Sequence, residues 1–248
     1  MTARLALTAL PGMPRVHAGD DVAALCRAGL DAAGLALAAG EALVIAQKIV
    51  SKAEGRSVRL ADVVPSPRTR DLAHETGKDP RLVELVLSES AAVVRTRPGL
   101  LIVRHRLGFV MANAGIDASN VDEDDAVLLL PVDPDRSAAA IRARLGGAGA
   151  VLVIDSVGRA WRSGTVGIAI GAAGLPALHD LRGRPDMNGK PLQVTMVGLA
   201  DELAAAASLV MGQADEARPV VHAGGLALPP GTGTARDLVR PLDMDLFR

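Results

Sequence analysis

Asp155-Ser156 closes the apolar run Val151-Leu152-Val153-Ile154, which delivers a carboxylate and a hydroxyl where a buried strand would emerge into a loop. Directly after it, Gly158-Arg159-Ala160-Trp161-Arg162-Ser163-Gly164 offers two guanidinium groups among glycines, chemistry suited to gripping phosphate or carboxylate oxygens bidentately. The competing reading of this stretch is a capped strand end followed by solvated arginines. Asn113-Ala114-Gly115-Ile116-Asp117-Ala118-Ser119-Asn120 concentrates turn formers and oxygen ligands. Such a loop either binds a hard cation through Asp117 and a base or phosphate through Asn120, or is an Asx-rich turn that bonds its own backbone. Lys48 and Lys52, with Ser51 between them, follow another apolar run, where an ammonium group can face phosphate or simply face solvent.

Other clusters carry less. Adjacent carboxylates at Asp122-Glu123-Asp124-Asp125 read as a solvated turn before a strand rather than a metal site. The five histidines show no H-x-x-x-H or H-E-x-x-H spacing, so a zinc site has little support. Gly183-Arg184-Pro185-Asp186-Met187-Asn188-Gly189-Lys190-Pro191 fails the G-x-x-x-x-G-K-[ST] rule in spacing and in its last residue, and no N-K-x-D guanine-reading motif is present. Any nucleoside triphosphate would therefore be held without a Walker loop. Gly171-Ala172-Ala173-Gly174 suits close packing as well as it suits a ligand.

Elements must place these groups. Residues 4–10 alternate as a strand, Asp20 can cap a helix over about 21–38, and Ala42 to Ala46 reads as a buried strand leading into Gln47 to Lys52. Residues 65–70 look like a connector, and Pro80 can open a helix through Leu87. Strands are expected at 92–96 and 100–105 around a Pro98-Gly99 turn, then at 126–130 and 150–154 with a helix from near Asp135 between them. Past a Gly-rich stretch, residues 192–199 read as a strand, 201–211 as an Ala-rich helix and 220–221 as a short last strand. The sum is α+β, with mixed sheets and packed helices. No linker is long or polar enough to divide the chain, so residues 1–248 are expected to form a single domain.

Composition narrows the partners. A chain of 248 residues with 49% hydrophobic residues can bury a substantial core without disulfides. A lone cysteine, Cys26, in an apolar helical pattern suits a small buried residue and a reducing cytoplasm. No secretory leader is recognisable at the start, and no apolar stretch reaches the roughly 18 residues of a membrane span. A net charge of −1 and only Phe109, Phe247 and Trp161 as aromatics argue against a nucleic-acid partner.

The half-open readings gain weight because they occur together, in one order, within blocks that resemble the coenzyme F420-0:L-glutamate (γ-glutamyl) ligase family. Those blocks are GMPRVHAGDD at 12–21, AQKIVSKAEGR at 46–56, HRLGFVMANAGIDASNV at 105–121 and LLLPVDPDRSA at 128–138. IDSVGRAWRSGTVGIAIGAAGL at 154–175 and VTMVGLADELAAAASLVMGQADEARPVV at 194–221 extend the likeness almost to the C-terminus.

The resemblance implies an unusual α+β ligase fold, an intertwined homodimer, and GTP held with Mg²⁺ or Mn²⁺ at an acidic site. By resemblance, Asp117 and Asp155 bind the first metal and Ser156 gives an oxygen to a second. Met13, Pro14, Arg15 and Val16 line the nucleotide with Gln47, Lys52 and Asn120, and Met211-Gly212-Gln213 adds a further segment. Ser156 stands where the family pattern has Thr, which keeps the oxygen, and Gln213 stands where an acidic residue is frequent. The implied reaction has a carboxylate of the F420 precursor attack the γ-phosphate of GTP, and the amine of L-glutamate capture the acyl phosphate. Lys52 with Arg159 or Arg162 would neutralise charge, and further γ-linked glutamates could follow. Alternatives are a γ-glutamyl or amino-acid ligase for another acidic acceptor, or a nucleotide-binding module without turnover. Some relatives carry a flavin-binding nitroreductase-like domain after this one; the chain ends at Arg248, so that activity is not expected.

Overall fold

A computed structural model describes residues 3–119 and 125–245. Asn120 and the acidic residues Asp122, Glu123 and Asp124 lie outside that set.

In chain order the elements begin with β1 (Ala6–Ala9), α1 (Val22–Ala32), β2 (Ala42–Ala46), α2 (Gln47–Ala53) and β3 (Ser57–Arg59). Two helices follow, α3 (Pro67–Thr76) and α4 (Pro80–Ser88), then β4 (Ser90–Arg97), β5 (Leu100–His105), β6 (Val110–Ala112) and β7 (Ala126–Leu128). The remainder is α5 (Pro134–Arg144), β8 (Ala150–Arg159), β9 (Arg162–Ala173), β10 (His179–Asp180), β11 (Met196–Val197), α6 (Leu199–Met211) and β12 (Val220–Gly224). The architecture is mixed α+β, with a five-stranded sheet ordered β1-β12-β2-β8-β9, a three-stranded sheet β4-β5-β6, and two-stranded pairs β3-β7 and β10-β11.

Only β2 and β8 run parallel in the large sheet, with Ala46 opposite Ile154. Parallel strands are ordinarily covered on both faces, and here Leu43, Val44 and Ile45 on β2 and Val151, Leu152 and Val153 on β8 are fully buried. Each such side chain contributes about 1.5–3 kcal/mol through apolar burial. Cys26 joins this core, and burial pushes its thiol up to about 12, which keeps it an unreactive packing residue. A second cluster, with Val83, Val86, Leu101 and Val103, packs α3 and α4 on the small sheet. Between the clusters Glu89 is buried, yet it accepts from Arg56 at 2.9 Å and faces Arg106 at 3.0 Å. Burial works to raise its carboxyl, but the facing His105 and the two guanidinium groups outweigh that and hold it below the usual range.

Several expectations need correction. The first helix stops at Ala32 instead of 38, because Gly34 takes a left-handed φ of +65° just past its end. Residues 65–70 are not a plain connector. Ser66 caps α3 by accepting from the Thr69 amide, and Pro67 occupies the first helical position, where a missing N–H costs nothing. The Gly-rich stretch after Asp155 is the 12-residue strand β9. Its glycines permit close helix contact: a Cβ on Gly167 would lie 2.6 Å from the Ala204 carbonyl of α6, and one on Gly171 2.2 Å from the Pro134 carbonyl of α5. Residues 192–199 form only the short strand β11, since α6 begins at Leu199. Asp125, the described end of the acidic cluster, sits in a turn with φ 58° and pairs with Arg81 at 2.9 Å. Among the described residues no helix is long and apolar enough to cross a membrane.

Candidate active site

Strand direction explains why distant segments meet. Because β2 and β8 are parallel and their pairing ends at Ala46 and Ile154, Gln47-Lys48 beyond β2 and Asp155-Ser156, where β8 runs on past its β2 partner, lie at the same end of that pairing. β12 is antiparallel to β2, with the Ala46 amide donating to the Pro219 carbonyl at 2.8 Å, so the loop preceding β12 enters at that same end. β1 is antiparallel to β12, and the Leu10 amide donates to the Val220 carbonyl at 2.9 Å, which sends residues 11–16 there as well. A cavity of about 530 Å³ lies at this convergence, within the usual range for small-molecule sites.

Its lining includes Met13, Pro14, Arg15, Val16, Gln47, Lys52, Asp117, Asp155 and Ser156, together with Met211-Gly212-Gln213 where α6 ends. Arg159 and Arg162 are elsewhere. They pair across the β8–β9 hairpin, flanking the Ala160-Trp161 tip, exposed and outside this lining. The pairing explains the displacement: β8 continues four residues past Asp155 before it turns, so the arginines are carried along the hairpin instead of folding back. The guanidinium groups that do line the cavity belong to Arg15 and Arg218.

The carboxylates are held differently. Asp117 closes a backbone bridge with Leu128, pairs with the Lys48 ammonium at 2.7 Å, and accepts from the Ser119 hydroxyl at 2.7 Å. Lys48 also donates to Ser119 Oγ at 2.8 Å. Burial works to raise Asp117, but Lys48 and Ser119 prevail and hold it below the carboxylate range. Among the described residues Asp155 accepts from its neighbour alone, the Ser156 amide donating to Oδ1 at 2.8 Å. Burial, reinforced by the negative charge of Asp117 and opposed by that amide and by Lys48, pushes Asp155 up to about 6. Of the two candidate metal-binding carboxylates, Asp117 is thus neutralised and Asp155 under-compensated, and Glu216 is a third carboxylate in the lining.

Gln47 presents a buried donor. Its side chain is 2% exposed and its Oε1 accepts from Ser51 at 2.8 Å, while among the described residues its buried Nε2 has no hydrogen-bond partner. An orphaned buried donor is costly in a free site and is satisfied when a ligand oxygen arrives.

Do these residues suit a divalent cation? Among the described residues no three His, Cys, Asp or Glu side chains form a ready cage. Two carboxylates and a hydroxyl nevertheless match a hard cation such as Mg²⁺, which commonly takes one or two carboxylates and completes its shell with water and phosphate oxygens. The Lys48 ammonium on Asp117 already shows that the position accommodates positive charge. The donor set fits.

The sequence named Lys48 and Lys52 together as possible phosphate partners, but the resemblance carried only Lys52 into the site. The two are four residues apart on α2, a spacing that puts them on one helix face, and this was the available signal. Arg218 gave none, because its position depends on β12 entering the middle of the sheet.

A site assembled from sheet ends and loops, with no glycine-rich phosphate loop, defines the class: an α+β protein whose ligand groups come from several chain segments. The chain belongs to the F420-0:Gamma-glutamyl ligase family, whose model matches residues 12–225. It is 47% identical to the coenzyme F420:L-glutamate ligase of Methanothermobacter thermautotrophicus, across 98% of this chain and 99% of that protein. It is 44% identical to the Methanopyrus kandleri protein of the same name, covering 98% of each. The Archaeoglobus fulgidus protein of that name is 39% identical over 99% of this chain and 97% of its own.

Proposed function

We propose that the protein is a GTP-dependent ligase that joins the amine of L-glutamate to a carboxylate of the coenzyme F420 precursor, with further γ-linked glutamates able to follow. The observation that carries this reading is the single cavity in which Asp117, Asp155, Lys48, Lys52 and the unpartnered amide of Gln47 meet. Family membership and the names of the relatives support the F420 precursor and L-glutamate as substrates, and GTP is part of the proposal.

The chemical difficulty is bringing a carboxylate to a triphosphate of like charge. Lys52 and Lys48 face the phosphates as point charges, Arg15 and Arg218 offer bidentate donors, and Gln47 Nε2 donates to a ligand oxygen. Mg²⁺ or Mn²⁺ would be held by Asp117 and Asp155 with the Ser156 hydroxyl, and when bound it supplies neutralisation of phosphate charge. The precursor carboxylate oxygen attacks the γ-phosphorus, the bond to the β–γ bridging oxygen breaks, and GDP leaves. The free amine of glutamate then attacks the acyl carbon, loses a proton, and phosphate departs. No protein nucleophile is needed.

In this reading the protein acts as a homodimer in the cytoplasm, and the exposed apolar side chains Trp161, Met187 and Val194, at 86%, 104% and 84% exposure, are surface that a second copy would cover. The test incubates the protein with GTP, Mg²⁺, glutamate and the precursor and follows product mass. A glutamate-sized increase that requires all four supports the proposal, and its absence with folded protein refutes it.

A further inference from the structure

A second cavity, of about 560 Å³, lies between the β5–β6 turn and the C-terminal segment, and its charge is one-sided. Arg104 and Arg106 reach it from β5 and the following turn, and Arg236 and Arg240 from the C-terminal segment; among the described residues no carboxylate side chain lines it. Arg106 is held by Glu89 at 3.0 Å, and Arg236 approaches Asp133 at 3.4 Å. Among the described residues neither Arg104 nor Arg240 has a carboxylate within 4.0 Å.

The floor of this cavity is built. His105 is fully buried, and its Nδ1 accepts the Leu107 amide at 3.0 Å, so a neutral ring carries its proton on Nε2, 3.5 Å from the Glu89 carboxylate. Glu89 in turn holds Arg106, so this guanidinium is preset by buried groups instead of swinging in solvent. The two walls are locked together, because Gly108, with φ +99°, packs against Val239 so closely that a Cβ would lie 3.0 Å from its methyl group. Crowding four guanidinium groups around one hollow while leaving two without counter-charge is self-repulsive, and an incoming anion turns that repulsion into attraction.

We propose that this second cavity binds a small polyanion whose closely spaced phosphate or carboxylate oxygens bridge Arg104 and Arg240. The proposal stands apart from the reading of the first cavity. The shared chemistry is multiple anionic oxygens within one small molecule, and pyrophosphate and tricarballylate represent its two sources.

The experiment is calorimetric titration of the full chain with each probe at low salt and without divalent metal. A saturable event is expected that persists in Lys52→Ala and weakens with added salt. It should weaken roughly a hundredfold in the double variant Arg104→Gln/Arg240→Gln, about tenfold for each charge-assisted contact. Tighter pyrophosphate assigns a phosphate ligand and tighter tricarballylate a polycarboxylate. Arg240 is exposed, so Arg240→Gln alone, with an expected tenfold loss, keeps the test available if the double variant does not fold. Binding unchanged by these substitutions, or no saturable event in the unaltered chain, overturns the proposal. So does a double variant whose self-association changes while neither probe binds the parent, since the arginines would then be meeting a second copy.

Discussion

Asp155→Asn separates the cost of the candidate site from its use. Burial and the neighbouring Asp117 push Asp155 from the ordinary 3.8 to about 6, so at neutral pH the folded chain holds an ionised carboxylate it would rather protonate. That displacement corresponds to about 3 kcal/mol. The sign follows from linkage: with the folded value raised, the group costs nothing below about pH 4, where it is protonated in both states, and its full cost applies above about pH 6. Asparagine keeps an oxygen for the Ser156 amide and removes the charge. In chelator at pH 7.5 the variant should therefore melt higher than the parent, by on the order of 5–10 °C at most for a chain of this size. The gap should close as pH falls from 6 towards 4. Ligation, in contrast, should drop by about a hundredfold or more, because the removed charge would no longer hold a cation at the reacting phosphate. Melting curves across that pH range and product mass in the presence of metal are the measurements. A variant that melts no higher at pH 7.5, or one that retains turnover at saturating metal, refutes the reasoning.

Chelator should weaken GTP binding strongly while leaving the melting transition in place, since two carboxylates would otherwise face a triphosphate and the core is apolar; equal GTP affinity in calorimetry with and without metal would remove the cation from the site. Lys52→Ala should weaken nucleotide binding about ten- to a hundredfold, from loss of a charge-assisted contact of roughly 1.5–3 kcal/mol, with glutamate affinity less affected; an unchanged nucleotide dissociation constant would assign Lys52 another role. Gly171→Ala should destabilise the fold by about 1–3 kcal/mol or prevent folding, because its Cβ would meet the Pro134 carbonyl at 2.2 Å, and denaturant melts check this.

The legible part of the site was the part written as unbroken apolar runs. Leu43 to Ile45 and Val151 to Ile154 announced buried strands, so Lys48 could be placed just past a strand end, whereas Asp155, expected to close its strand, lies inside β8, which runs on to Arg159. What pattern could not convey was direction. Only the parallel pairing of Ala46 with Ile154 puts those two ends on the same side, and only the insertion of β12 between β1 and β2 brings Met13 and Arg218 to them. The glycines of 158–174 misled for a physical reason. A residue without a side chain serves a phosphate loop or a close helix equally well, and the decision rests on the Ala204 and Pro134 carbonyls, which lie far off in sequence. Arg159 and Arg162 were read as part of a ligand loop on that basis, and the hairpin that pairs them takes both out of the cavity lining. Asp117 was the intermediate case. Its loop does bond itself, through Ser119, as an Asx turn would, and Asp117 also lines the cavity and holds Lys48, so the two readings of that segment were never exclusive.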